Sequence, residues 1–315
     1  MNLKEQETSL KEKLSQHYKN RNFTPQPKAI VRAGLFWPGF MICSLFFEAV
    51  AVLLPGVYKL HGTGNLEGHG WFGETYWLML GVVLTTFVES LINWWRVYMD
   101  VANYVRKETK MAHFPQCLET PPGWRHCPTC QVDAPPRSFH CNMCGRCILK
   151  RDHHCFFTGS CIGYYNQRHF VIFCIYVIWG SLLALYLQLS YLSKYMFPFF
   201  ENVYAYILPF TVMKLFSGNL TIQSFLLLLH TYATGFCLFL GLWFLLWQLI
   251  IILRGQTSYE AWKNIRVYHG GLYNNFTSVF GSPLQAWLLF FVPLMLPLQG
   301  DACAWKIRPK SEKGH

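Results

Sequence analysis

Four segments of the chain are long and apolar enough to cross a lipid bilayer, for which a helix needs about 20 mostly apolar residues. They cover residues 33–58, 77–99, 170–195 and 222–253. The composition agrees, since 52% of the 315 residues are hydrophobic and 14% are charged, whereas a soluble domain has roughly 25% charged residues. The sequence therefore predicts an all-α integral membrane protein and excludes a disordered chain. A fifth apolar stretch, residues 284–298, is too short to span and is expected to be interfacial or re-entrant.

Basic residues flank the spans unevenly and predict an orientation, because cytoplasmic loops carry the excess of Lys and Arg. Residues 1–32 and 254–315 contain seven each and residues 100–168 contain nine, whereas the other two loops contain three together. Both termini and the middle loop are therefore expected in the cytoplasm. The multi-pass protein is assigned to an endomembrane such as the Golgi or ER, with the plasma membrane as the alternative. The net charge of +11 then faces anionic membrane lipid, and no nucleic acid partner is expected.

Seven of the twelve cysteines lie between residues 127 and 161. Disulfides are not expected in a cytoplasmic loop, because that compartment is reducing. The pairs Cys127/Cys130 and Cys141/Cys144 have the two-residue gap that lets both thiolates face one zinc ion. Metal would supply the folding energy that so short and polar a segment cannot obtain from a core of its own.

Three histidines, His140, His153 and His154, lie among these cysteines. If one cysteine is withheld, six cysteines and two histidines remain, which is enough for two closed Cys₃His zinc sites. One cysteine and one histidine are then left over. The run Asp152-His153-His154-Cys155 contains a carboxylate, an imidazole and a thiol that can act as orienting group, base and nucleophile. Spacing leaves open which cysteine is spare, and also whether all of these residues are ligands or support ligands.

The predicted fold class is a four-transmembrane-helix bundle with a cytoplasmic cysteine-rich two-zinc domain between helices 2 and 3. The predicted order is a cytoplasmic N-terminal segment (1–32), helices 1 and 2 (33–99), the zinc and catalytic domain (100–169), helices 3 and 4 (170–253), and a cytoplasmic C-terminal region with the interfacial segment (254–315).

The cysteine-rich segment resembles the corresponding domain of DHHC-type protein S-acyltransferases over about 45 residues at many fixed spacings. The pattern is Cys127-x2-Cys130-x9-His140-Cys141-x2-Cys144-x2-Cys147-x4-Asp152-His153-His154-Cys155-x5-Cys161-x4-Asn166-x3-Phe170. The resemblance implies that Cys155 is the nucleophile, that His153 is its base and that Asp152 orients His153. It also implies two structural Zn²⁺ ions in interleaved sites, one held by Cys127, Cys130, His140 and Cys147, the other by Cys141, Cys144, His154 and Cys161.

Two motifs beyond the fourth span are similar to the same family. The run Thr257-Ser258-Tyr259-Glu260 resembles its Thr-Thr-x-Glu motif, with Ser258 keeping the hydroxyl, although the spacing also fits a helix capping box. Asn275, in Gly271-x3-Asn275-x3-Val279-Phe280-Gly281, is implied to bind backbone groups, although an ordinary turn has similar residues. One departure is the lack of an Asp-Pro-Gly after the second span, where the nearest run is 120–123, Thr-Pro-Pro-Gly.

The resemblance implies ping-pong transfer of a long-chain fatty acyl group, such as palmitoyl, from fatty acyl-CoA through Cys155 to cysteines of membrane-associated substrate proteins. Basic residues near the site are expected to meet CoA phosphates, namely Arg137, Lys150, Arg151 and Arg168. Small residues of the third span, Gly180, Ser181 and Ala184, are expected to leave room for the acyl chain or simply to allow close helix packing. Three other classes also pair membrane spans or zinc with such a sequence: a membrane-anchored ubiquitin ligase, a zinc-dependent nucleic-acid binder and a catalytically silent scaffold of the same fold. The intact Asp-His-His-Cys disfavours the scaffold.

Overall fold

The protein is described from a computed structural model over residues 28–61, 71–117, 119–196, 198, 201, 203–292, 296–298 and 300–307. Most of the predicted N-terminal segment (1–27) and the end of the C-terminal region (308–315) lie outside the described residues.

Within these ranges, four helices are long and apolar enough to cross a membrane, as predicted. They are Phe36–Val57, Tyr76–Met99, Gln167–Tyr195 and Ile222–Leu253. The fold is mostly helical and fits a multi-pass membrane protein. The third span begins three residues before the predicted start. Its first turn, Gln167 to His169, is polar but buried in protein, so the helix begins before the apolar segment does.

The first span is assembled from α1 (Lys28–Glu48), a π-helical turn (Ala49–Leu53) and α2 (Leu54–His61). The later helices are α3 (Trp71–Met99), α4 (Lys107–His113), α5 (Gln167–Tyr195), α6 (Leu208–Phe216), α7 (Ile222–Leu253), α8 (Ser258–Trp262), α9 (Leu272–Phe280) and α10 (Pro283–Phe291), with a 3-10 turn at Val203–Tyr206. Helix α5 packs against both α3 and α7 and is the most buried of the four spans. It therefore connects the other spans to the cysteine-rich domain that precedes it.

The apolar stretch predicted at residues 284–298 begins with α10. Ser282 and Gln285 form a capping box at its start, and Pro283 occupies the first turn, where its missing N–H is not needed. The helix ends at Phe291 and is too short to span a membrane. Its interfacial position stays a prediction.

The cysteine-rich domain is built from three two-stranded antiparallel hairpins. The strands are β1 (Arg125–Cys127), β2 (Val132–Ala134), β3 (Phe139–Cys141), β4 (Arg146–Ile148), β5 (His153–Cys155) and β6 (Ser160–Ile162). In the β3–β4 hairpin His140 faces Cys147, and in the β5–β6 hairpin His154 faces Cys161. Isolated two-stranded hairpins are marginally stable in water, so an additional cross-link between them is required.

The domain is joined to the membrane helices by side chains that bind backbone groups. Asp100, directly after α3, accepts a hydrogen bond from the Ala102 backbone N–H at 2.9 Å, which makes a tight turn where the Asp-Pro-Gly is absent. Asn166, at the start of α5, donates to the carbonyl of Cys161 at 3.0 Å. Gly163 lies so close to the chain that a Cβ there would stand 2.8 Å from the carbonyl oxygen of Leu149. Only glycine fits at this point of contact.

Candidate active site

Each predicted set of zinc ligands is brought together by the fold. Cys127, Cys130, His140 and Cys147 form one group, and Cys141, Cys144, His154 and Cys161 form the other. In the first group, Nδ1 of His140 lies 3.1 Å and 3.8 Å from the sulfurs of Cys130 and Cys127. In the second, Nδ1 of His154 lies 3.4–3.7 Å from three sulfurs.

All but one of these distances lie within the separations expected between ligands on one tetrahedral zinc, about 3.3–3.8 Å for bond lengths of 2.0–2.3 Å. The shortest, 3.1 Å between Cys130 and His140, falls just below that range. Three thiols and one imidazole nitrogen converge in each group, which is a donor set typical of structural zinc. The residues present therefore fit the metal that the sequence implies.

Strand geometry explains how neighbouring residues serve different sites. Successive side chains of a strand point to opposite faces. On β3, His140 belongs to the first group and Cys141 to the second. On β5, His154 belongs to the second group, so His153 and Cys155 share the opposite face.

His153 is held by Asp152. Its Nδ1 lies 2.8 Å from Oδ2 of Asp152, and the Asp152 side chain is 3% exposed. The other ring nitrogen, Nε2, is buried and has no hydrogen-bond partner among the described residues. An imidazole whose Nδ1 bonds to a carboxylate has Nε2 left for the reacting group.

The electrostatics favour an ion pair between Cys155 and His153. Burial would lower the pKa of His153, but the hydrogen bond to Asp152 and the interaction with Cys155 raise it to about 10. Burial would raise the pKa of the Cys155 thiol, but His153 and Thr158 outweigh that effect and hold the pKa below its usual value. Burial would likewise raise the pKa of Asp152, but hydrogen bonds with His153 and Ser258 keep it well below its usual range. At neutral pH these directions favour thiolate, imidazolium and carboxylate.

Asp152 is itself positioned by two residues from beyond the domain. The backbone N–H of Ser258 donates to its Oδ1, so the motif after the fourth span contacts the active-site region. Gln248, fully buried in α7, donates from Nε2 to Oδ2 of Asp152 at 2.7 Å. It also accepts at Oε1 from Gln167 at 2.9 Å. Sequence reasoning missed Gln248, although an uncharged polar residue in a strongly apolar span is a signal that could have found it.

The motif 257–260 caps a helix and also contacts the cysteine-rich domain. Thr257 and Glu260 form a capping box at the start of α8. Glu260 also pairs with Arg137 at 2.7 Å, and both side chains are at most 5% exposed. Asn275 binds backbone groups of the same region, donating to the carbonyl of Leu253 at 2.8 Å and accepting from the N–H of Gly270 at 3.0 Å.

The four basic residues predicted to meet CoA phosphates do not form one open surface. Arg137 is buried against Glu260 and the rings of Tyr268 and Trp305. Lys150 is buried and donates to Gln167 at 3.1 Å, and burial lowers its pKa to about 7. Arg168, also buried, donates to the carbonyl of Leu296. The fourth, Arg151, is partly exposed and lies beside Cys141 and Cys161.

An apolar cavity of about 440 Å³ opens between the spans, within the range typical of ligand pockets. Its lining includes Phe170, Phe173 and Cys174, which also pack against Cys155. The small residues Gly180, Ser181 and Ala184 line it as well. The ring of His153 lies parallel to that of Phe244 with centroids 6.4 Å apart, and Phe244 lines the same cavity. The thiol of Cys155 and the imidazole of His153 therefore lie beside the end of the apolar cavity that is predicted to face the cytoplasm.

The described residues thus combine four helices able to cross a membrane with two Cys₃His groups that could hold metal ions. Cys155 and His153 lie beside an apolar cavity between these helices. Residues 121–265 match the family model described as DHHC palmitoyltransferase. The chain therefore carries a domain of the DHHC palmitoyltransferase family, and the resemblance found in the sequence is confirmed. The predicted thiol, zinc and Thr257–Glu260 residues lie within the matched range.

Individual relatives agree with this assignment. Over 144 residues the chain is 34% identical to palmitoyltransferase ZDHHC22 of Rattus norvegicus, an alignment that covers 42% of this chain and 51% of the relative. The Homo sapiens ZDHHC22 aligns with the same identity and coverage. Over 205 residues the chain is 33% identical to probable palmitoyltransferase ZDHHC24 of Danio rerio, covering 61% of this chain and 66% of the relative. The chain thus spans about half the length of the ZDHHC22 relatives.

Proposed function

We propose that the protein is a protein-cysteine S-acyltransferase that transfers a long-chain fatty acyl group, such as palmitoyl, from acyl-CoA to cysteines of other proteins. The observation that carries this proposal is the shared face of β5. There Cys155 stands with His153, His153 is fixed by Asp152, and both Cys155 and His153 contact residues that line an apolar cavity. The names of the relatives support the same activity.

In the first step the Cys155 thiolate attacks the thioester carbonyl carbon of acyl-CoA. The new carbon–sulfur bond forms on Cys155, the bond to CoA sulfur breaks, and CoA leaves as its thiolate. Imidazolium His153 donates a proton from Nε2 to that leaving thiolate. The acyl group is then a thioester of Cys155, and His153 is neutral.

In the second step neutral His153 accepts the proton of an incoming substrate thiol. The substrate thiolate attacks the acyl carbonyl, and the bond to Cys155 breaks. Cys155 returns to a thiolate beside imidazolium His153. Because each step exchanges one thioester for another, proton placement and positioning account for most of the catalysis. Asp152 keeps Nδ1 of His153 occupied throughout, so that Nε2 faces the sulfur in both steps.

The two zinc ions are proposed to be structural. The first would be held by Cys127, Cys130, His140 and Cys147, and the second by Cys141, Cys144, His154 and Cys161. Closed Cys₃His sites supply folding free energy and leave no coordination position for a substrate. By holding zinc, these eight ligands would fix the three hairpins relative to one another. Through His154 they would also fix β5, the strand that carries Cys155.

Burial of the acyl chain in the cavity would supply the binding energy, because removing it from water is worth about 0.8 kcal/mol per CH₂. We propose that CoA remains outside, where Arg151 is the candidate for direct phosphate contact because it is partly exposed. Arg137, Lys150 and Arg168 are buried and are proposed to contribute positive potential. The motif residues Thr257, Ser258, Glu260 and Asn275 are proposed to hold α7 and α8 against the domain.

The proposed topology places both termini on the cytoplasmic side of a Golgi or ER membrane. The cysteine-rich domain, which lies between the second and third spans, is on the same side. Its partners are then fatty acyl-CoA, membrane lipid and cysteine-bearing membrane-associated proteins. The excess of basic residues on these segments supports this orientation.

Labelling of the purified protein with alkyne palmitoyl-CoA tests the proposal. The wild type is expected to acquire a label that neutral hydroxylamine removes, and Cys155→Ser is expected to lose it. Cys237→Ser is the matched control, because Cys237 lines the same cavity but belongs to neither metal group. A Cys155→Ser protein that labels as strongly as the wild type would rule out the nucleophile. An unlabelled wild type whose two Cys₃His groups both hold zinc would identify a silent scaffold.

A further inference from the structure

A third group of metal-type ligands shares no residue with the two Cys₃His groups. His113 is the last residue of α4, and Asp301 and Cys303 belong to the described C-terminal segment 300–307. One donor atom of each lies within 4.8 Å of the other two. Nε2 of His113 stands 3.0 Å from Oδ2 of Asp301.

The backbone of the C-terminal segment is bent to bring its two ligands to the same side. Oδ1 of Asp301 accepts a hydrogen bond from the Cys303 backbone N–H at 2.9 Å, which leaves Oδ2 turned to His113. Ala302 between them has a φ of 63°, a left-handed conformation that an alanine adopts only at a cost of about 1 kcal/mol. Such strain persists where the surroundings impose it and is common at ligand sites.

The chemistry of the three donors selects the metal. A thiolate, an imidazole and a carboxylate together suit zinc better than Ca²⁺ or Mg²⁺, which prefer oxygen ligands alone. The Cys303 residue is 5% exposed, whereas the His113 and Asp301 side chains are 30% and 49% exposed. An ion can therefore enter from solvent, and a water molecule can occupy the fourth position.

We propose that His113, Asp301 and Cys303 bind a third zinc ion, which clasps the C-terminal segment to α4. A zinc ion bound there would also restrain Trp305, which lies two residues after Cys303. Trp305 lies over the guanidinium of Arg137 at 4.3 Å and near Nζ of Lys150 at 5.9 Å, both of which are buried beneath it. Zinc would thus hold Trp305 over these two cations. This inference concerns metal binding and does not depend on the proposed transferase activity.

Metal content measures the site directly. The full-length protein in detergent is dialysed to equilibrium against micromolar free zinc, and bound zinc is determined by mass spectrometry. We expect about three zinc ions per chain in the wild type and one fewer in His113→Ala, whose side chain is exposed enough to remove without disturbing the core. Cys303→Ala should also lose one ion. Cys117→Ala, which alters a cysteine outside all three groups, should keep three.

A wild type that binds only two ions under these conditions overturns the site, as does a His113→Ala protein that still binds three. The clasp has its own readout in tryptic cleavage after Lys306, which is exposed. Zinc should slow this cleavage at least several-fold in the wild type and leave the His113→Ala rate unchanged. A wild-type rate that is independent of zinc overturns the clasp.

Discussion

Arg137 and Glu260 lie 123 positions apart in the sequence and form a bidentate ion pair, with Nε–Oε1 at 2.8 Å and Nη2–Oε2 at 2.7 Å. The pair joins the cysteine-rich domain to α8. Both side chains are buried, so loss of one partner leaves the other charged and without compensation. Such a loss costs on the order of 3–5 kcal/mol.

Glu260→Gln is therefore expected to lower the midpoint of thermal unfolding in detergent by several degrees. Arg137→Lys should have a smaller effect in the same direction, because lysine keeps the charge but cannot make both bonds. Glu108→Gln, at an exposed position on α4, serves as the control and should leave the midpoint nearly unchanged. An equal effect at positions 108 and 260 would show that burial of the pair is not what matters.

The pH dependence of Cys155 alkylation tests the ion pair with His153. Because the pKa of Cys155 is lowered, its reaction with iodoacetamide should already be fast at pH 7 and should reach its maximum below the usual thiol pKa of about 8.5. The pKa of His153 is raised to about 10, so the imidazolium persists across this range. In His153→Gln the profile should move to higher pH, with a loss of about tenfold at pH 7. An unchanged profile would remove His153 from the proposed chemistry.

Gln248 is predicted to be a positioning residue for Asp152. Its hydrogen bond goes to a charged group, and such bonds contribute about 1.5–3 kcal/mol, so Gln248→Leu should slow formation of the acyl-enzyme by about tenfold. The Cys155 alkylation profile should also move to higher pH, which a purely structural role would not cause. Gln223→Leu is the matched control, because Gln223 lies in the same helix but is exposed. Equal losses in the two variants would contradict this role.

Ala184 lines the cavity on α5, eleven residues beyond Phe173, a distance of about 16 Å along a helix. Ala184→Phe should fill the far part of the cavity and shift the preferred donor from palmitoyl-CoA to shorter acyl-CoAs in a competition assay. Leu182→Phe, on the exposed side of the same helix, should not change the preference. The prediction fails if both variants keep the wild-type order of chain lengths.

Substitutions of the adjacent residues His153 and His154 are expected to have different effects, one on catalysis and the other on metal binding. His154→Ala should lose one zinc ion and unfold more readily, since a structural zinc site contributes to folding. His153→Ala should keep two zinc ions in the Cys₃His groups while losing acyl-enzyme formation. Zinc content and acyl labelling are measured on the same preparations of the two variants. Equal loss of zinc in both would show that the assignment of catalysis to His153 and metal binding to His154 is wrong.

Local patterns predicted much of this molecule. Hydrophobicity alone located the fourth span, Ile222–Leu253, at the bounds that the structure has. The resemblance also grouped the eight metal-type ligands as the fold does. These features depend on residues close in sequence, where a helix or hairpin has few alternatives.

Long-range partners could not be predicted in the same way. Gln248 reaches Asp152 across 96 positions, and no periodicity indicates which of several polar residues in the spans makes such a contact. Charge alone also gave no sign that Arg137 would be neutralised by Glu260 and covered by Trp305. These contacts of Arg137 form only when the residues after the fourth span pack onto the cysteine-rich domain.

The alternation along β5 limits how this part of the chain can change. His154 and Cys155 are neighbours that face opposite ways, so inserting or deleting one residue within β5 would reverse the faces of every strand residue on one side of the change. The thiol would then point to the metal and the metal ligand to the cavity. The length of β5 is therefore constrained as strictly as the identity of its three residues.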